Sequence, residues 1–479
     1  MASIEQTFQR PVPGASSVDP VIHPRHGAAP PEEPADMNLE MTTLDGQASR
    51  CEADGKAIMS LIEELFPICR SITGSGLRRT LNILQRHVPL VVNEVPSGTE
   101  VFDWVVPNEW NIREAYIERE DGRRIVDFAA NNLHIVQYSR PIDATMSLAD
   151  LRPHLHTLPD RPDWIPYRTS YYSENWGFCL TQRQMSSLGD ERYHVVIDAD
   201  LAPGHLSYGE LLIPGQLDET VLFSCHVCHP SLANDNLSAV AVATMLGRYI
   251  QTLRPRYSYR FLFVPGTIGS LSWLARNESA IGRIVHGLVL SCLGDAGAMT
   301  YKQSRRGNAV IDRAVAHVLR HDAATHQIRP FVPYGYDERQ YCSPGFNLPV
   351  GCLTRTPNGE YEEYHSSADN LSLLRPENLA HSLGVLQQIV AVIEGDAVYR
   401  NRNPKGEPQL GRRGLYGAMG GGRAAASDQM ALLWVLNLAD GSHSLLDIAE
   451  QAGIPFQTIR RAADALIAAD LLEIASSAP

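Results

Sequence analysis

Long apolar runs are missing from this chain. No stretch approaches the roughly 18 uninterrupted apolar residues of a membrane-spanning helix, so no transmembrane segment and no membrane partner are expected. An export signal is missing as well. Residues 1 to about 50 are rich in Pro, Ala, Glu and small polar residues, without the basic start and apolar centre of a signal peptide; residues 1–52 are expected to form a disordered tail. Basic charge is in deficit: 41 Lys and Arg stand against 54 Asp and Glu, a net charge of −13. That balance argues against general binding to nucleic acid or an anionic membrane. Cysteines number eight, and Cys51, Cys69, Cys179, Cys292, Cys342 and Cys352 stand singly. They read as reduced, largely buried thiols of a cytoplasmic protein. Only Cys225 and Cys228 form a C-x-x-C, so a two-knuckle zinc ribbon is excluded. Cys225-His-Val-Cys228-His229 matches c-type haem attachment literally. That chemistry needs an oxidising, exported compartment, and the run leads directly into a strand-loop-helix with no room for a haem pocket.

At 479 residues the chain should carry more than one domain. Ala57 to Phe66 has helical spacing of apolar residues, and Gly76 to Arg86 reads as a second helix. From about Val92 to Pro214 the texture turns to short β-rich runs punctuated by Pro, Gly and Asp. From Glu219 strands alternate with helices. Strands are expected at Thr220–Phe223, Tyr259–Val264, Gly287–Ser291 and Val350–Thr354, and helices at Leu237–Leu253, Ser270–Arg276, Asn308–Arg320 and Pro376–Glu394. The expected organisation is an α/β domain over 53–91 and 215–400, an inserted β-rich domain over 92–214, a linker over 401–427 and a helix-turn-helix-like domain over 428–479. That last segment holds seven acidic residues and two basic ones (Arg460 and Arg461) from Asp428 onward. Too few phosphates could be neutralised for DNA reading, so a protein partner or a homo-oligomer contact is the preferred use.

Histidines and aspartates recur where strands should end. His226 follows the apolar run Thr220–Phe223, Asp235 sits in Asn234-Asp235-Asn236 before a helix, and Asp295 and His365 follow at gaps of 60 and 70 residues. In an open α/β sheet such junctions collect ligands, and imidazole and carboxylate donors gathered there are the chemistry of zinc.

These motifs resemble the co-catalytic zinc aminopeptidases of peptidase family M28, which also include glutaminyl cyclases. The resemblance rests on His226-Val-Cys228, Ala233-Asn-Asp235-Asn-Leu-Ser238, Asp295, Tyr336-Asp337-Glu338 and Tyr364-His365-Ser-Ser-Ala-Asp369. It is closest to a bacterial aminopeptidase-like branch with DUF4910 and DUF2172 regions, through Ile165-Pro-Tyr-Arg-Thr-Ser-Tyr-Tyr172 and Asp337-Glu-Arg-Gln-Tyr-Cys-Ser-Pro344. The implied fold is an α/β, phosphorylase/hydrolase-like mixed sheet covered by helices, of the zinc exopeptidase type. A small β-rich domain is inserted, and a winged helix-turn-helix follows. The implied ligands of one zinc, or of two, are His226, Asp235, Asp295 and His365. Asp337 is implied in proton transfer or amine binding.

Two departures stand out. Gly266 occupies the place of the family's general-base Glu, and Cys228 that of the Asp that orients the first histidine. Losing a positioned base costs roughly 10²–10⁴-fold in rate. Asp337, or Glu363 if its segment is extended so that it shares a side with His365, could replace it. Arg168, Arg339 and Arg355 are candidate carboxylate or phosphate clamps. Trp104, Trp110, Tyr171, Tyr172, Glu174 and Trp176 either face the cleft or fill a small core. The expected function is a zinc-dependent aminopeptidase-like hydrolase or amidase acting on a small peptide or aminoacyl amide in a biosynthetic pathway. Two alternatives stay open: a catalytically silent binding scaffold, and a single-zinc acyl transferase or cyclase of the glutaminyl-cyclase type.

Overall fold

A computed structural model of the chain describes residues 44–322, 324–415 and 423–475. Of the expected tail, residues 1–43 lie outside the described residues, and the remainder is helical: α1 runs Leu44–Leu65. The helical apolar spacing that begins at Ala57 thus belongs to a longer helix, since a polar first half can extend a helix whose second half is anchored by packing.

The centre is an eight-stranded mixed sheet. Its strands are β1 (Val91–Pro96), β2 (His205–Ile213), β3 (Thr220–His226), β4 (Ser258–Val264), β5 (Ile284–Leu290), β6 (Met299–Lys302), β7 (His326–Arg329) and β8 (Val350–Thr354). Their order across the sheet is β1-β2-β4-β3-β5-β8-β6-β7. β3 is parallel to both its neighbours and buried at all seven positions, as a continuous apolar run at the centre of a two-sided sheet should be. Its side chains alternate between two cores. Val221, Phe223 and Cys225 pack with residues of α1, α3 (Ala239–Gln251), α5 (Val310–His321) and α6 (Pro376–Gly395). Leu222 enters the opposite core with Trp273 of α4 (Ile268–Arg276) and residues of the insertion.

Between β1 and β2 the chain builds a four-stranded antiparallel sheet in the order Arg124–Asp127, Glu109–Arg119, Arg192–Ala202, Ile142–Ser147. Both ends of the stretch expected as an insertion, 92–214, therefore belong to the main sheet. Val91–Pro96 and His205–Ile213 pair with each other antiparallel, and His205–Ile213 also pairs with β4. An edge pairing of segments so far apart leaves no local pattern to read. The described residues, from Leu44 onward, fall in one compact unit.

At the C-terminal end, Val398–Asn401 pairs with Asp440–Ser444 and Leu472–Ile474. This small sheet packs with α7 (Arg423–Leu438), α8 (Leu445–Ala452) and α9 (Phe456–Ala468). The expected linker thus contains a strand end and a helix start, with 416–422 outside the described residues. α8 starts with a capping box, Ser444 and Asp447 exchanging side-chain and backbone hydrogen bonds. It stops at Gly453, whose φ of 64° only glycine takes at little cost. Among the described residues no helix is long and apolar enough to cross a membrane.

Candidate metal centre

β3 ends at His226, and the chain turns through residues 227–232 into a tight, wholly buried segment, Ala233–Ser238, that leads into α3. Asp369 fixes this turn. Its two carboxylate oxygens accept from the backbone N–H groups of Asn234 (2.6 Å) and Asp235 (3.0 Å). Tyr361 donates its hydroxyl to the same carboxylate at 2.8 Å. Burial pushes the Asp369 carboxyl up to about 7. Asn236 donates to the His226 carbonyl (3.1 Å), tying the turn back to the strand. The result holds the Asp235 carboxylate between histidines: His226 Nε2 is 2.7 Å from Oδ1, His365 Nε2 is 3.1 Å from Oδ2, and His229 Nε2 is 3.7 Å from Oδ2. One donor atom each of His226, His229 and Asp235 lies within 4.8 Å of the others, and His365 joins them through Asp235.

Asp235 is fully buried, which alone would raise its carboxyl; His229 and His226 outweigh that and hold it well below the usual carboxylate range. Burial drives His229 well below the ordinary imidazole range, against the pull of Asp235. Three imidazoles and one carboxylate converging at one point are a donor set that fits zinc. Cys228 supports one of them: its Sγ is 3.3 Å from His229 Nδ1, leaving Nε2 for Asp235. Burial raises that thiol to about 12, so it stays protonated. His226 Nδ1, by contrast, is buried with no hydrogen-bond partner among the described residues.

The residues named from the sequence divide. His226, Asp235 and His365 come together. Asp295 does not join them: its oxygens accept from Asn234 Nδ2 (2.9 Å), Gly297 N (2.6 Å), Thr356 Oγ1 (2.7 Å) and Thr356 N (3.3 Å). It braces the turn that carries Asp235. His229 takes a place in the cluster instead. Its signal was the His-x-x-His spacing of 226 and 229, hidden inside the haem-like C-x-x-C-H run. Cys228 orients His229 rather than His226. Asp337 is fully buried at the N-terminus of α4. Its Oδ1 accepts from Thr267 N (3.0 Å) and Ser270 Oγ (2.9 Å), while Oδ2 has no partner among the described residues. Burial raises its carboxyl to about 6, against the pull of His226. Glu363 is half-buried in a run of turns, not in an extended segment, and its carbonyl accepts from Ser366. The same-side argument for it therefore falls away.

Gly266 is more than a missing base. A Cβ built there would fall 1.9 Å from the Tyr336 hydroxyl oxygen and 2.5 Å from its ring. Tyr336 fills the space a side chain at 266 would need, and its ring centroid lies 3.8 Å from that of His226. A cavity of about 350 Å³ opens onto this group, lined by His229 and His365 and walled by Trp104, Tyr167, Tyr171, Tyr172 and Tyr336. Of the aromatic cluster seen in the sequence, Trp104, Tyr171 and Tyr172 face this cavity. Trp110 and Trp176 are core residues, and Glu174 is exposed. Arg355 is spent internally on Gly297 O (2.7 Å), His381 Nδ1 (2.8 Å), Ser382 Oγ (3.1 Å) and Asn378 O (3.2 Å).

Comparison with known proteins follows the same lines. The model of the domain of unknown function DUF4910 matches residues 59–396. This chain belongs to the DUF4910 family. A winged helix-turn-helix model matches 397–474. A relative from Clostridium acetobutylicum is 50% identical over 420 residues, covering 88% of this chain and 96% of the relative. It is named "Putative polysaccharide biosynthesis protein with aminopeptidase-like domain". A crystal structure of a "putative peptidase" from that organism is 48% identical and superposes with a TM-score of 0.86 over 90% of this chain and 99% of that one. A zinc aminopeptidase from Bacillus subtilis is only 11% identical, with a TM-score of 0.51 over 71% of this chain and 94% of that one. The likeness to that aminopeptidase is one of fold, and the family's sheet and helices are those of the zinc aminopeptidases.

Proposed function

We propose that this chain is a zinc-dependent amide hydrolase of aminopeptidase type, with His226, His229, Asp235 and His365 as the metal-holding residues. The observation that carries the reading is the cluster of three imidazoles, two of them buried, around the buried Asp235 on the wall of an aromatic cavity. The likeness to zinc aminopeptidases in fold supports zinc as the ion, and one donor cluster favours a single site. The relative's name supports a place in biosynthesis rather than in bulk protein breakdown; the substrate is a small peptide or an aminoacyl amide. Bound zinc would supply Lewis acidity toward the amide carbonyl. The chain's own groups do the rest. Cys228 and Asp369 hold His229 and the Asp235 turn in place, and Tyr167 packs edge-on against His365 at 5.0 Å, excluding water from its flank. Asp337, with one unpartnered oxygen and a carboxyl near 6, is the group placed to hold and move a proton near neutral pH. Glu363, half-buried two residues before His365, is the second candidate.

Aminoacyl anilides and small N-terminal peptides test this directly. Two products whose masses together equal the substrate plus one water mark hydrolysis, and His365→Ala should abolish it. Activity that survives in His365→Ala contradicts the site assignment. Gly266, with Tyr336 in the space of a base, favours one second reading, a binding protein that keeps zinc without turnover. Bound zinc with no hydrolysis of any such substrate would select it.

A further inference from the structure

A second cavity, of about 590 Å³, lies behind Tyr336, and Arg339 lines both this cavity and the one that opens onto His229 and His365. The charged groups around Arg339 are engaged elsewhere, save one oxygen of Asp337 that has no partner among the described residues. Lys302 is paired with Glu338 and donates to the Tyr334 carbonyl at 2.7 Å. Glu338 also accepts from the Tyr336 N–H at 3.2 Å. Arg329 is paired with Glu360, and Asp337 is turned toward Thr267 and Ser270. Among the described residues, the Arg339 guanidinium has no hydrogen bond or ion pair, and its Nε is buried without a partner. A half-buried guanidinium in a chain of net charge −13 does not lack carboxylates to pair with; this one pairs with none of the described residues and lines both cavities. An unpaired buried donor costs free energy until a partner arrives.

We propose that Arg339 is the recognition residue for an oxyanionic group of the substrate, a carboxylate or a phosphate monoester, taken by two parallel N–H donors. The placement deepens the amide-hydrolase reading by naming a feature of its substrate: an anionic end beside the scissile amide.

The test is calorimetric titration of the as-purified protein with three probes: N-acetylglycine, its neutral isostere N-acetylglycinamide, and inorganic phosphate, with zinc content measured on the same sample. At least about tenfold tighter binding of an anion than of the amide is expected, from the strength of charge-assisted pairs. Tighter N-acetylglycine assigns the group to a carboxylate, and tighter phosphate to a phosphate ester. Arg339→Gln should erase the preference with zinc content unchanged, and Arg339→Lys should recover only part of it. Equal binding of anion and amide, or a preference that survives in Arg339→Gln, overturns the proposal. The two readings fail separately: a zinc-loaded protein without Arg339-dependent anion binding sinks only this one, and anion binding in a protein that holds no zinc sinks only the metal centre.

Discussion

At position 266 the side chain that is absent and the side chain that replaces it belong to different parts of the chain. Glycine there leaves room that the Tyr336 ring fills, so restoring a glutamate is a steric problem before it is a chemical one. Gly266→Glu alone should destabilise the protein by about 1–3 kcal/mol, the usual cost of overpacking. Combining it with Tyr336→Ser should recover much of that loss, a coupling that urea-denaturation midpoints of both single variants and the double variant will reveal. Additive losses would mean that Tyr336 is not the obstacle. Asp337 gives a second prediction. Its carboxyl rises from an ordinary 3.8 to about 6, so the folded chain favours the protonated form. The stability this contributes is fully present below about pH 4 and is lost as pH rises through about 6; at ~1.4 kcal/mol per pH unit the change is about 3 kcal/mol. Asp337→Asn should flatten that part of the stability profile. Hydrolysis should also lose its dependence on a group titrating near 6 in Asp337→Asn, and an unchanged pH–rate profile would remove Asp337 from proton transfer.

Among the elements, the winged-helix segment has its third helix turned inward. The first turn of α9 is sealed against the main domain: Phe456 is buried, and its N–H donates to His317 Nε2 at 3.0 Å. Arg460 donates to the Gly395 carbonyl at 3.1 Å and to Asp464 at 2.8 Å, and Arg461 is drawn to Asp428. Arg313 of α5 holds Asp447 and Glu450 of α8. The turn that would enter a DNA groove in a helix-turn-helix reader is thus occupied. A gel shift with random duplex DNA at micromolar protein should show no salt-dependent complex, whereas a complex that weakens with salt would contradict this view. Phe456→Ala should cost about 3–5 kcal/mol and expose the 402–415 stretch to protease, if α9 anchors the segment. Legibility also divides at this scale. β3, β4, β5, β8 and the helices after them could be read because a buried parallel strand and an amphipathic helix each carry their own apolar pattern. The start of α1, and the recruitment of Val91–Pro96 and His205–Ile213 to the main sheet, could not be read. They depend on partners far along the chain.

For the molecule as a whole, the centre is assembled from three regions: the end of β3, the turn before α3, and the segment after β8. His226, Asp235 and His365 were legible because each falls beside a motif whose spacing survives in the sequence. His229, the other proposed ligand, was not, since its neighbours imitate another chemistry, and Asp295, also expected as a ligand, hydrogen-bonds Asn234, Gly297 and Thr356 and so braces the turn that carries Asp235. Only hydrogen-bond geometry separates those roles. The measurement that bears most directly on this account is zinc per chain, by elemental analysis of untagged protein purified without chelator, for the wild type and for His229→Ala. The account predicts about one zinc per chain in the wild type, as for a single site with four protein donors, and its loss in His229→Ala with the fold retained by circular dichroism. No zinc in the wild type even after incubation with the ion, or full zinc retained in His229→Ala, would contradict it.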